Sequence, residues 1–115
     1  CAVVWDDDNG GAYAAYIEHD KAEPLWHREF STKGIRPTLV AGKDRPLVAW
    51  YEDSRLKLAE IGRDGLGKAS VLASVKGFQP EADVARGEKP GQWLVAFRDY
   101  ESAHFEAFGL RTECQ

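Results

Sequence analysis

The chain has 115 residues and a formal net charge of −4, with fifteen basic residues scattered among nineteen acidic ones. That is room for one domain with a real core, and too little for two. The acidic balance excludes nucleic acid and anionic membrane surfaces as partners, because both need clustered basic groups to neutralise phosphates. No apolar run reaches the roughly 18 to 20 residues of a membrane-spanning helix, so no membrane span is expected.

In chain order, short apolar segments rich in Val, Ala, Leu and aromatic residues are bounded by Gly, Pro, Asp and Asn, which is the punctuation of strands. Residues 2–5, 12–18 and 25–31 are predicted as the first three strands. Residues 38–41, 47–51, 56–61 and 68–75 follow, separated by turns such as Gly42-Lys43-Asp44-Arg45-Pro46 and Arg63-Asp64-Gly65. The last three are residues 81–86, 92–97 and 104–110. No segment keeps a 3.6-residue apolar period for three turns, so no helix is expected.

One phrase is written three times. Ala2-Val3-Val4-Trp5-Asp6-Asp7, Leu47-Val48-Ala49-Trp50-Tyr51-Glu52-Asp53 and Leu94-Val95-Ala96-Phe97-Arg98-Asp99 align, with the aromatic positions 45 and 47 residues apart. Gly34-Ile35-Arg36-Pro37 returns as Gly77-Phe78-Gln79-Pro80. A period in this range marks a supersecondary unit that cannot bury its apolar face alone. The repeats run over about 1–33, 34–76 and 77–115, holding three, four and three strands of an antiparallel four-stranded template.

This arrangement of Pro, short strand, Leu-Val-Ala-Trp, acidic turn, strand and Asp-Gly turn resembles the blade of bacterial β-propellers, in particular sialidase-like and other tandem VVW-x-D-type blades. The resemblance spans essentially the whole chain and implies an all-β fold, a partial β-propeller of about three blades. Propellers close with four to eight blades. The resemblance therefore also implies self-association, or further blades of a larger protein, to complete a ring. A β-trefoil is the alternative, since it too has three repeats of about forty residues. The sialidase Asp-box, Ser-x-Asp-x-Gly-x-x-Trp, is absent, and residues 63–67 hold its turn position without the serine or the tryptophan. Arg36-Pro37 is similar to the Arg-Ile-Pro phrase of that family. The resemblance implies a carboxylate-clamping role for Arg36 and Arg98, with Tyr51 and Glu52 as a nucleophile pair.

Read from the residues themselves, Trp5, Trp50 and Phe97 recur at the repeat period and are expected in the core. Trp26 and Trp93 lie off that register and are the candidate platforms for a sugar ring, whose apolar face stacks on an indole. Asp7, Asp53 and Asp99 sit in the turn after each repeated strand, where a carboxylate fixes the turn or, with Arg36 and Arg98, meets a ligand. Asp6-Asp7-Asp8-Asn9-Gly10 could offer calcium the oxygens of Asp6 and Asp8, although it lacks the third carboxylate and paired Glu of an EF-hand loop. No other cofactor is expected. His19, His27 and His104 share no ligand spacing, and no serine sits in a Gly-x-Ser-x-Gly elbow.

The absence of methionine marks the first residue as something other than a translation start. Cys1 and Cys114 stand at the two extremities and are read as a terminal disulfide, whose loop closure would remove about 4 to 5 kcal/mol of unfolded-state entropy. That reading favours an extracytoplasmic compartment; two unpaired thiols, or a lipid on Cys1, are the alternatives. The loops over residues 6–11, 53–55 and 99–102 fall on one rim by repeat symmetry. The function expected is a binding or assembly module that recognises a glycan or protein surface through them. A structural segment of a sialidase-like glycoside hydrolase is the alternative.

Overall fold

The computed structural model describes residues 1–7, 10–74, 81–89, 92–98 and 105–111, the last three segments chiefly through their backbone pairing. It is all-β, with no helix among the described residues. Eleven strands follow one another: β1 (Ala2–Asp6), β2 (Ala12–Tyr16), β3 (Trp26–Ser31), β4 (Ile35–Val40), β5 (Leu47–Glu52), β6 (Arg55–Gly62), β7 (Gly65–Leu66), β8 (Ser70–Ser74), β9 (Glu81–Arg86), β10 (Gln92–Arg98) and β11 (Phe105–Arg111). Every pairing is antiparallel.

The strands form three sheets, β1-β2-β3, a central five-stranded sheet in which β4-β5-β6 continues to β7 and β8, and β9-β10-β11. The expected strands are all present. The two-residue β7 extends the β6 end of the central sheet, and β4 begins three residues earlier than its apolar run. That earlier start reflects an irregularity between Ile35 and Thr38, where Ile35 still pairs Tyr51 and Thr38 pairs Ala49. Within it Arg36 takes a positive φ of 52°, which releases its N–H from the ladder, while Pro37 has no N–H to contribute.

The central sheet is buried on both faces. Along β5, five consecutive residues from Leu47 to Tyr51 are buried, which is why the strand reads as a continuous apolar run and not an alternation. One face gathers Val40, Leu47, Ala49, Tyr51, Leu56, Leu58 and Leu72. The other gathers Val48, Trp50, Ala59 and Ile61 against the first sheet, where Ala2, Val4, Ala14, Tyr16, Trp26 and Phe30 meet them. Two alanines at that contact leave room for an indole, and Phe30 packs edge-on to Trp50 at 4.9 Å, a favoured aromatic geometry.

The tight connection from β5 to β6 uses Asp53 and Ser54, at φ 51° and 61°. Positive φ at both central residues is the signature of a type I′ hairpin, whose twist matches the flanking strands. It aligns Glu52 opposite Arg55.

Leu56 is 1% exposed and Leu39, two strands away, is 41% exposed. Leu56→Ala is expected to cost about 2 to 5 kcal/mol through transfer and cavity terms, and Leu39→Ala less than about 1 kcal/mol. The urea midpoints of the two variants measure the difference.

Candidate functional site

Antiparallel register decides which side chains share an end of the molecule. Asp6 pairs Ala12 and Ala12 pairs Ser31, so the ends of β1 and β3 lie together. In the central sheet Ile35 pairs Tyr51 and Glu52 pairs Arg55, which puts the start of β4 and the β5–β6 hairpin at one end of that sheet. These two ends meet, because the backbone N–H of Arg36 donates to Asp6 Oδ2 at 2.9 Å. The result is a rim carrying Asp6, Asp7, Ser31, Lys33, Arg36, Glu52, Asp53 and Arg55. Of the expected site residues, Asp6, Arg36 and Asp53 are brought together here. Lys33 lies 3.8 Å from Asp53, an exposed pair that contributes little to stability.

Behind the rim, Glu52 joins the two sheets. Its Oε1 accepts from the Ser31 hydroxyl of β3, and the Trp50 indole N–H points to the same oxygen at 3.5 Å. Lys57 donates to Oε2. Ser31 is buried, and the Glu52 and Lys57 side chains are only about a fifth exposed, so pairing is what makes burying these charges tolerable. The hydrogen bonds from Lys57 and then Ser31 hold the Glu52 carboxyl below the usual carboxylate range. Gly34 completes the corner: a Cβ there would come within 2.8 Å of the Ser31 side chain and 3.0 Å of Ala12 Cβ. This constellation escaped sequence reading because its donors come from different repeats, with Ser31 and Glu52 twenty-one residues apart.

Tyr51 and Glu52 do not act as a pair. Successive residues of a strand face opposite ways, and Tyr51 belongs to the core face with Leu56 and Leu58 while Glu52 turns toward Ser31. The Tyr51 hydroxyl is buried without a hydrogen-bond partner. Burial pushes its pKa up to about 12, opposed by the charge of Arg36, so it stays neutral at physiological pH.

Trp26, read as a sugar platform, lies at the opposite end of the first sheet from the rim. Trp26 pairs Tyr16, at the far end of β2 from Ala12. It is half-buried, stacks on Tyr16 at 6.3 Å, carries the Arg28 guanidinium 4.8 Å above its ring and donates its indole N–H to the Gly62 carbonyl at 3.1 Å. Those contacts tie the first sheet to the central one. Trp93 pairs Arg86, and Arg98 pairs Glu81, so backbone register likewise separates Trp93 from Arg98. Trp5 departs from the core expectation: it is 41% exposed and stacks on Tyr13 at 5.6 Å, whereas Trp50 is 4% exposed.

Asp8, Asp99 and Cys114 lie outside the described residues. Among the described residues no group of three or more His, Cys, Asp or Glu side chains gathers as a metal site, and Asp6 is engaged with the Arg36 N–H. Cys1 is exposed, and its α-ammonium group donates to the Ile17 carbonyl at 2.7 Å. No helix among the described residues is long and apolar enough to cross a membrane. Comparison with protein-family models, with curated proteins and with solved structures returned no match.

A group whose native pKa is depressed stabilises the fold fully above its unfolded pKa and loses that contribution as pH falls through the native value. Glu52 is such a group, with an ordinary value of 4.5. Stability should therefore fall as the pH drops below about 5, and Glu52→Gln should flatten that acid limb while lowering stability at pH 7. Urea unfolding from pH 7 to pH 3 measures both.

Proposed function

We propose that this chain is a non-enzymatic binding and assembly module built from β-propeller-type blades, working outside the cytoplasm and recognising a glycan or protein surface through its charged rim. The observation that carries the reading is the meeting of Asp6 at the end of β1 and Arg36 near the start of β4, beside Asp53 in the β5–β6 turn, at one end of the sheets. Loops held by a rigid sheet scaffold are where binding groups concentrate. The rim offers both signs of charge and both donors and acceptors, which suits a polar, shaped surface better than an apolar small molecule.

The blade reading is favoured over a trefoil by the division of the strands into three separate antiparallel sheets, each containing one copy of the repeated phrase, on the edge strand β1 and on the inner strands β5 and β10. The second sheet packs on the first through that phrase, as consecutive blades would. Arg98, the last residue of β10, is assigned to the same rim in this reading by repeat correspondence with the end of β5, and Asp99 follows it in sequence. A terminal disulfide between Cys1 and Cys114 would staple the chain ends.

The alternative, a structural segment of a sialidase-like hydrolase, draws on the proximity of Arg36 to Tyr51. It is the weaker reading because a buried, neutral Tyr51 hydroxyl turned away from Glu52 is poorly placed to attack a substrate.

Binding to an array of immobilised glycans and to displayed peptides tests the rim. Arg36→Gln combined with Asp53→Asn is expected to weaken binding at least about tenfold with an unchanged melting temperature. Trp26→Ala should cost stability and leave affinity intact. Loss of binding in Trp26→Ala, with the rim variant unaffected, would move the site to the other end. Turnover of a sialoside by the chain would replace this reading with the hydrolase one.

A further inference from the structure

The first sheet has two faces, and the repeat makes them comparable with those of the central sheet. In β5 and β6, Val48 pairs Ala59 and Trp50 pairs Lys57. In β1 and β2, Val3 pairs Ala15 and Trp5 pairs Tyr13. Val3, Trp5 and Ala15 therefore repeat Val48, Trp50 and Ala59 type for type at the same register positions, with Tyr13 in the place of Lys57.

The two trios differ in their cover at two of the three positions, since Ala15 is 7% exposed and already buried within the first sheet. Val48, Trp50 and Ala59 are 0%, 4% and 3% exposed because the first sheet lies on them with Ala2, Val4, Ala14, Tyr16 and Phe30. Val3 and Trp5 are 44% and 41% exposed, on the face of the first sheet turned away from that contact. Alternation along β1 requires this: Ala2 and Val4 point to the central sheet, so Val3 and Trp5 point outward. The outward face continues across β2 and β3 with Tyr13, His27 and Glu29, and Glu29 accepts a hydrogen bond from the Tyr13 hydroxyl, raising the phenol pKa.

We propose that this outer face, centred on Val3 and Trp5, is an assembly surface that receives a sheet of the same repeat from a second copy of this chain. The proposal deepens the assembly part of the reading above and rests on it. The occupant is identified by the cover that the equivalent trio already has, a sheet face of small and branched apolar residues into which an indole fits. Within each copy the covering face of the first sheet and both faces of the central sheet are already packed, so the complement comes from the second copy's remaining sheet, β9-β10-β11, which carries the phrase as Leu94-Val95-Ala96-Phe97 on β10. The contact is head-to-tail, since the face that receives and the face that covers are different surfaces. An exposed aromatic and aliphatic cluster with polar edges has the make-up of an interface core.

Sedimentation velocity on the full chain over a range of concentrations tests this. The expected result is a concentration-dependent species of twice the 12.8 kDa chain mass, with Trp5→Glu and, independently, Val3→Glu weakening association at least about tenfold. Both positions are exposed, so the far-ultraviolet circular dichroism of the variants should match that of the parent. Leu25→Glu, at a 47% exposed apolar residue at the other end of β3 from Ser31, should leave association unchanged. A chain that stays at 12.8 kDa throughout, or a dimer indifferent to both Trp5→Glu and Val3→Glu, would overturn the proposal. So would loss of glycan binding in Trp5→Glu with no change in mass, which would make the face a sugar platform. The rim variant Arg36→Gln with Asp53→Asn should associate normally, so failure of rim recognition and failure of assembly read out separately.

Discussion

The structure depends on one constraint, a central sheet that must be covered on both sides. β5 carries buried side chains at five successive positions, and a strand of that kind is stable only between two layers. The first sheet provides one layer by narrowing its own side chains. Ala14 is completely buried, and with Ala2 and Val4 it lets the Trp50 ring lie close to the backbone of β1 and β2 while Phe30 meets its edge. The contact takes the Trp50 indole and a fully buried Ile61 out of water, and burial of such apolar surface drives the sheets together without directional demands.

Direction comes from the polar groups at the margin of that core. Glu52, one residue beyond the apolar run of β5, is a costly charge so close to the interior. It is accommodated because β3 ends in Ser31 and β6 brings Lys57 beside it. Such a network favours one placement of the sheets over neighbouring ones, since a slide by one residue would leave the carboxylate buried and unpaired. The same corner turns the chain from β3 into β4 through Gly34, where a side chain would strike Ser31 and Ala12. The freed N–H of Arg36 is then satisfied by Asp6. Hydrophobic contact sets that the sheets meet, and this chain of polar contacts sets where.

Strand content and antiparallel pairing were legible in the sequence, because strands of this kind announce themselves by short apolar runs between turn residues. Burial of the repeated aromatic was less legible. Trp5 and Trp50 end nearly identical phrases, yet one is exposed and the other sealed, because exposure is decided by the neighbouring sheet and not by the strand. The role of Trp26 depended on register across the β2–β3 hairpin, which includes a bulge at Ala12 and Tyr13. Arg36 hid for a different reason. A residue before proline is normally extended, and only the tertiary acceptor on β1 explains a left-handed conformation there. Asp53, by contrast, was rightly read as a turn residue, since Asp tolerates positive φ and the hairpin demands it.

Strand β1 connects the two surfaces proposed above for recognition and for assembly. Its alternation sends Trp5 to the outer face and the next residue, Asp6, toward β4, where it holds the Arg36 N–H. A sheet seated on Trp5 would press on the strand that anchors the Arg36 corner, one peptide unit away. The rim geometry and the outer contact therefore share a single element of five residues, flanked on its other side only by β2 in the ladder. An edge strand of that length has few backbone bonds to hold it. Covering its exposed face would restrict its motion and, with it, the spread of positions open to Asp6 and Arg36. Assembly through the sheet face and recognition at the rim, as proposed, would thus be mechanically joined, and the joint would be the phrase Ala2-Val3-Val4-Trp5-Asp6 on β1.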